Sequence, residues 1–180
     1  MLKGQKVTLR TIERTDLPHL HDLMQNVTLV MPAYGGWSPV PFAAFEKNFE
    51  KHLEDEDPSF FVIEADGKVI GEIFLHHKHR HSGTTQFGIG IYDADYVGKG
   101  YGRDALDLLL DWTFRIQGYR RVSLTVGANN ERAIRAYQAC GFVQEGRFRE
   151  EAFYDGQYED VLAMGLLRSE WEARHTRKTT

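Results

Sequence analysis

The sequence is poor in cysteine, with Cys140 as the single thiol among 180 residues. One cysteine cannot form an internal disulfide, and it lacks the companions that a structural zinc site requires. Disulfide scaffolds are therefore excluded. Because a lone thiol suits a reducing compartment, we expect a cytoplasmic protein.

An excess of positive charge and a long apolar run are also missing. The chain carries 22 Lys and Arg residues against 26 Asp and Glu residues, a formal net charge of -4. A nucleic-acid-binding protein normally shows a basic field, so we expect no nucleic-acid partner. No apolar run approaches the length of a membrane span, and Met1 to Lys6 lead into alternating residues rather than the apolar core of a signal peptide. We therefore expect no membrane partner.

The residues that are present favour one packed domain. Hydrophobic residues make up 42% of the chain and aromatic residues 12%, unlike a disordered chain. Alternating and β-branched patterns predict about seven strands, at 7–10, 59–63, 69–75, 85–92, 121–126, 142–153 and 158–167. Apolar residues at helical spacing predict about four helices, around 17–24, 42–53, 105–114 and 133–137. We predict a single α+β domain over 1–180 with a mixed central sheet.

Three segments fit neither pattern. Residues 31–41 contain three of the five prolines and two glycines, so we predict a loop with aromatic residues. The charged tail 168–180 is expected to fray. The acidic run 54–57 is predicted to be a solvated helix end, with attraction of a cationic substrate as the alternative.

A glycine-rich loop is the strongest chemical signal. It stands between a predicted strand and a predicted helix and reads Val97, Gly98, Lys99, Gly100, Tyr101, Gly102 and Arg103. Glycines at alternate positions let backbone amides converge on one anion, and the helix N-terminus adds further N–H groups. The spacing matches neither a Walker loop nor the dinucleotide fingerprint. We interpret the loop as a pyrophosphate site, with a flexible turn that opens a helix as the alternative.

A second motif follows one strand later. Asn130 is placed to cap a helix, and Tyr137 lies two turns further along the same face. Together the two motifs resemble the GNAT superfamily of acetyl-coenzyme A dependent N-acetyltransferases, in the branch of the spermidine and ribosomal-protein N-terminal acetyltransferases. Gly100 and Gly102 match its loop glycines, and Ala133 stands between Asn130 and Tyr137 as in its helix motif. Val97 departs from the Gln or Arg of the family pattern.

This resemblance implies a set of site residues for acetyl-coenzyme A (acetyl-CoA) as cosubstrate. The pyrophosphate would bind the loop from Val97 to Arg103 and the helix start at Asn130. The pantetheine arm would bind unpaired backbone groups of Gly90, Ile91 and Tyr92, whose N–H groups would also stabilise the oxyanion. Tyr137 is the predicted catalytic residue, a proton donor to the departing thiolate, with a packing tyrosine as the alternative.

The implied reaction is direct attack of a primary amine on acetyl-CoA in a ternary complex. A polyamine, another small amine or a protein N-terminus would serve as acceptor. The alternative is a catalytically silent acyl-CoA-binding regulatory module. A homodimer through the loop at 34–37 or the last hairpin is possible.

Glu72 and a group of four histidines are further candidates for chemistry. Glu72 lies on a predicted strand, where we favour an exposed carboxylate over a general base. The histidines at 76, 77, 79 and 81 alternate with Lys78 and Arg80, which disfavours a metal ion, and we expect no metal site.

Overall fold

The computed structural model describes residues 1–34, 38–54, 59–154 and 156–176, without the side chains at 32–34, 52, 53 and 176. The chain divides into two compact units. The first comprises Met1–Phe74 with Ile89–Ala105, and the second comprises Leu75–Gly88 with Leu106–Thr180.

The described residues contain eight strands and six α-helices. The strands are β1 (Leu2–Lys3), β2 (Thr8–Thr11), β3 (Phe60–Ala65), β4 (Lys68–His79), β5 (Thr84–Ile91), β6 (Arg121–Gly127), β7 (Val143–Tyr154) and β8 (Gln157–Leu167). The helices are α1 (Leu17–Leu23), α2 (Val27–Tyr34), α3 (Phe42–Leu53), α4 (Tyr101–Asp111), α5 (Glu131–Cys140) and α6 (Arg168–Thr176). The sheet is mixed, in the order β1-β2-β3-β4-β5-β6-β8-β7. The α+β prediction is confirmed, as are all seven predicted strands, and β1 is too short for a sequence pattern.

The first unit contains the hairpin of β3 and β4, and β4 carries Glu72. Asp66 and Gly67 take positive φ angles of 51° and 74° at the turn between β3 and β4, which suits an Asp-Gly hairpin. A buried cluster holds the helices next to these strands and consists of Leu20, Val30, Val62, Val69 and Tyr92. The turn, together with a register shift between Ile63 and Glu64, sets how β4 pairs with β3.

The second unit contains the remaining strand pairs. β5 pairs in parallel with β6 over Thr84–Gln86, and β8 lies antiparallel to both β6 and β7. Helix α5 ends at Gly141, whose φ of 107° is the left-handed conformation that glycine adopts without strain. This turn ends α5 and leads directly into β7.

The prediction of a loop over the whole of 31–41 is wrong at its start, because α2 continues to Tyr34. The N–H groups of Leu29 and Val30 donate to the Asn26 carbonyl and begin the helix. Val30 is buried in the core, and the fixed φ of Pro32 is itself helical. Residues 35–37 lie outside the described part of the chain.

The prediction of a frayed tail is wrong over 168–176, which form α6. Trp171 is buried, with its ring centroid 5.5 Å from that of Phe114 and 4.3 Å from that of His175. Arg174 donates to the Ala139 carbonyl at 2.9 Å. One large aromatic anchor thus orders a segment whose average composition is polar.

Candidate active site

The glycine-rich loop has the backbone that its sequence predicts. Gly98 and Gly100 have φ angles of 76° and 88°, a region that other residues adopt only with strain. The Gly100 carbonyl accepts from the Asp104 N–H at 3.1 Å, so α4 begins at Tyr101, inside the segment predicted as the loop. A helix offers its leading N–H groups at this end, which is the arrangement that binding of an anion requires.

The end of β5 lies against the start of α4. A Cβ added at Gly102 would lie 3.5 Å from Ile91 Cγ1 and 3.8 Å from Ile89 Cδ1, which is ordinary contact. The first unit therefore brings together the predicted pantetheine residues at the end of β5 and the predicted pyrophosphate residues of the loop.

The backbone N–H of Tyr92 is hydrogen-bonded within the sheet. Its N–H donates to the Ile70 carbonyl at 2.9 Å, so the prediction that this N–H stays unpaired for a ligand is wrong. The physical reason is that the β4–β5 ladder continues one residue past β5. Because successive strand residues direct their N–H groups to opposite edges, the N–H of Ile91 faces away from β4.

Gly90 leaves room for the Tyr92 side chain. A Cβ at Gly90 would collide with the Tyr92 ring and hydroxyl. The ring is buried, and its hydroxyl donates to a carboxylate oxygen of Glu72 at 3.1 Å. Gly90 thus accommodates a side chain that holds Glu72.

Glu72 is buried, with 3% of its surface exposed, so the prediction of an exposed carboxylate is wrong. It lines a cavity of about 430 Å³ in the first unit. The other lining residues are Ile12, Leu17, His21, Met24, Gln25, Val30, Ser38, Val40, Phe45, Asn48, Phe49, Phe60 and Phe74. Among the described residues that line the cavity, Glu72 is the one carboxylate. A buried carboxylate in apolar surroundings favours a cationic or proton-donating ligand.

Sequence reasoning missed this cavity, whose lining residues come from separate helices and strands. The one available signal was the apolar run from Val69 to Leu75, in which Glu72 is the only charged residue. A charge inside such a run is more often paired or functional than exposed.

Helix α5 carries the second predicted motif. Asn130 caps the helix as predicted, since its side-chain oxygen accepts from the Ala133 N–H at 3.2 Å. The Tyr137 ring lies edge-on to Phe87, 5.7 Å between centroids, and also contacts Phe142. Burial raises the pKa of Tyr137 to about 12, and the neighbouring Cys140 adds to the shift. The phenol is therefore protonated throughout the neutral range.

The histidine cluster is a local hydrogen-bonded group. His76 and His77 lie 3.2 Å apart between Nδ1 atoms, and His77 Nδ1 lies 3.1 Å from the side-chain oxygen of Gln86. Burial lowers the pKa of His76, and its neighbour His77 lowers it further. Within the described ranges, no group of three or more His, Cys, Asp or Glu side chains is arranged to hold a metal ion.

The acidic run and the lengths of the helices bear on the predictions about a cationic substrate and a membrane. In the acidic run, Glu54 is exposed, whereas 55–57 lie outside the described residues. None of the helices in the described part of the chain is both long and apolar enough to span a membrane.

Comparison with known proteins defines the class to which this fold and loop belong. A family model for the acetyltransferase (GNAT) domain matches residues 6–143. The chain belongs to the GNAT family, which confirms the predicted resemblance and fold class. The described residues form eight strands and six helices, where about seven strands and four helices were predicted.

Among its relatives, the chain is similar to bacterial spermidine N-acetyltransferases in sequence and in structure. The spermidine N(1)-acetyltransferase of Vibrio cholerae serotype O1 is 34% identical over 175 residues, which cover 93% of this chain and 96% of that protein. A crystal structure of the Vibrio cholerae spermidine N-acetyltransferase with CoA and spermine has a TM-score of 0.86 and 32% identity, and it covers 94% of this chain and 99% of that one. A dodecameric structure of the same enzyme in an intermediate state has a TM-score of 0.81 and 31% identity, with coverage of 95% and 99%. This protein is an N-acetyltransferase that transfers an acetyl group from acetyl-CoA to an amine.

Proposed function

We propose that the protein acetylates a terminal primary amine of a polyamine, and that the whole chain, 1–180, serves as one N-acetyltransferase domain. The observation that carries the proposal is the buried Glu72 in a largely apolar cavity. An ammonium end group would pair with this carboxylate, while the methylene chain would lie along aromatic walls such as Phe45, Phe49 and Phe74. The spermidine and spermine named for the relatives have this combination of amine and methylene groups.

The loop and the end of β5 are our proposed cosubstrate site. The donor supplies an acetyl group activated as a thioester. Backbone amides of the loop from Val97 to Arg103 would bind its pyrophosphate, supported by the positive φ angles of Gly98 and Gly100. We assign the backbone groups of Gly90 and Ile91 to the pantetheine arm, since the Ile91 N–H faces away from β4.

Proton movement is assigned to two side chains. The acceptor amine must lose a proton before it attacks, and Glu72 is placed to accept that proton from an amine in the cavity. The Tyr92 hydroxyl holds Glu72 in position. Tyr137 is the proposed proton donor to the departing sulfur, and its raised pKa keeps the donor protonated.

A panel of acceptors tests this function. Coenzyme A release would be measured with spermidine, spermine, n-butylamine and a short peptide with a free N-terminus, at saturating acetyl-CoA. We expect the highest kcat/KM for the two polyamines. A higher value for the peptide would contradict the polyamine assignment. If the protein bound coenzyme A but no amine accelerated coenzyme A release from acetyl-CoA, the result would favour the alternative of a catalytically silent acyl-CoA-binding module.

We also propose that the chain self-associates, at least to a homodimer, through the hairpin of β7 and β8. Phe148, Phe153 and Tyr158 on this hairpin are 50%, 58% and 70% exposed, an unusual amount of aromatic surface for a monomer. The relative solved as a dodecamer also self-associates. Sedimentation of the wild type and of the double variant F153S/Y158S would test this, with loss of the larger species expected.

A cytoplasmic location is part of the proposal. The single Cys140 is buried and free, which fits a reducing compartment. Cell fractionation with an antibody to the protein would test the location.

A further inference from the structure

The N-terminal segment is fixed to the first turn of α4. The Asp104 carboxylate accepts from the backbone N–H groups of Gln5, Lys6 and Val7 at 3.2, 2.7 and 3.0 Å. Gly4 makes room for this arrangement, because a Cβ there would collide with the same carboxylate. The backbone at Lys6 is therefore set by the helix that follows the glycine-rich loop.

The Lys6 side chain reaches from this fixed backbone to the loop itself. Its Nζ donates to the Lys99 carbonyl at 2.7 Å and lies 5.3 Å from the centroid of the Tyr101 ring. A Cβ added at Gly100 would lie 3.6 Å from the same Nζ. The ammonium thus contacts one particular peptide group, the one between Lys99 and Gly100.

That peptide group needs an external constraint. Gly98 and Gly100 lie on either side of Lys99 with positive φ angles, and glycine permits a wide range of backbone rotation. In a trans peptide the carbonyl and the N–H point in opposite directions. An ammonium on the Lys99 carbonyl therefore directs the Gly100 N–H to the opposite side of the loop, and it also polarises that N–H as a donor.

We propose that Lys6 is a positioning residue for acetyl-CoA: it holds the Lys99–Gly100 peptide in the orientation that presents the Gly100 N–H to the pyrophosphate. The inference rests on the proposed function, in which the loop amides bind this group. Lys6 acts through the peptide, and its positive charge adds long-range attraction for the anion. The N-terminal segment is thereby part of the cosubstrate site.

Calorimetric titration with coenzyme A tests the inference. Lys6→Met keeps the aliphatic stem and removes the donor and charge, so the Kd should rise roughly ten-fold, the usual effect of losing one charge-assisted hydrogen bond. Lys6→Arg restores a cationic donor and should recover most of the affinity. Lys3→Met removes the same charge from β1 and should leave the Kd within about two-fold.

Steady-state kinetics separate positioning from a general structural role. In Lys6→Met, the KM for acetyl-CoA should rise while kcat and the KM for spermidine stay near the wild-type values. Equal coenzyme A affinity of the wild type and Lys6→Met, equal weakening by Lys3→Met, or no recovery in Lys6→Arg would overturn the inference alone. Failure of the wild type to bind coenzyme A would overturn the proposed function and the inference with it.

Discussion

The glycine-rich loop and the proposed acceptor cavity are encoded in different ways. The loop is a contiguous segment in which Gly98 and Gly100 adopt positive φ angles, a local requirement that is visible in the sequence. The cavity is lined by residues from Ile12 to Phe74, and its chemistry depends on one buried carboxylate. Backbone requirements can be read locally, whereas burial depends on which elements pack together.

The largest expected effect comes from a substitution that tests whether the loop requires glycine for its backbone. Gly100→Val should weaken coenzyme A binding roughly 100-fold, because a β-branched residue disfavours a φ of 88° and its side chain would crowd the anion. Gly156→Val is the matched control, since Gly156 has a φ of 79° in another turn. Calorimetry should show normal affinity for the control. Equal affinity of both folded variants would contradict the loop assignment.

The next effect concerns Tyr137 on α5. Tyr137→Phe keeps the packing against Phe87 and removes only the hydroxyl, so kcat with spermidine should fall roughly 100-fold while coenzyme A affinity changes little. Tyr119→Phe, at a buried tyrosine of the same unit, serves as control. If Tyr137→Phe kept full kcat under conditions where chemistry limits the rate, Tyr137 would be a packing residue.

A smaller effect tests the contact that holds Glu72 in the cavity. Tyr92→Phe removes the hydroxyl that donates to Glu72, and we expect kcat/KM for spermidine to fall about five-fold, as for loss of one hydrogen bond. Tyr119→Phe removes a buried hydroxyl from the second unit and should leave kcat/KM unchanged. An unchanged value for Tyr92→Phe would show that Glu72 is held by other contacts.

The smallest expected effect is in the pH profile. Because burial raises the pKa of Tyr137 to about 12, its proton-donor form persists as pH rises, and kcat should not decline between pH 8 and about 10 through this group. The shift also stabilises the fold below pH about 10, with that contribution lost as pH rises towards 12. A declining limb near pH 8 to 9 that Tyr137→Phe removes would contradict the raised pKa of Tyr137.

The same distinction explains what the sequence could predict of the fold. Strand periodicity and the Asn130 cap are local signals, and both predicted features are confirmed. Helices α2 and α6 were missed because their order depends on burial of Val30 and Trp171 in cores that the local sequence does not show.

The candidate site shows the same limit. The loop motif predicted the residues with special backbone, but it did not predict that the Tyr92 N–H would continue the β4–β5 ladder. Nor did it show that Gly90 accommodates the Tyr92 ring. Glu72 was predicted to be exposed because alternation identifies the two faces of a strand and does not show what covers them.

The most direct test of the account is kcat/KM for spermidine in Glu72→Gln, a substitution that keeps the shape and removes the charge. If the buried carboxylate binds the amine and accepts its proton, kcat/KM should fall roughly 100-fold while the KM for acetyl-CoA stays near its wild-type value. A Glu72→Gln protein that acetylates spermidine as efficiently as the wild type would contradict the proposed acceptor site.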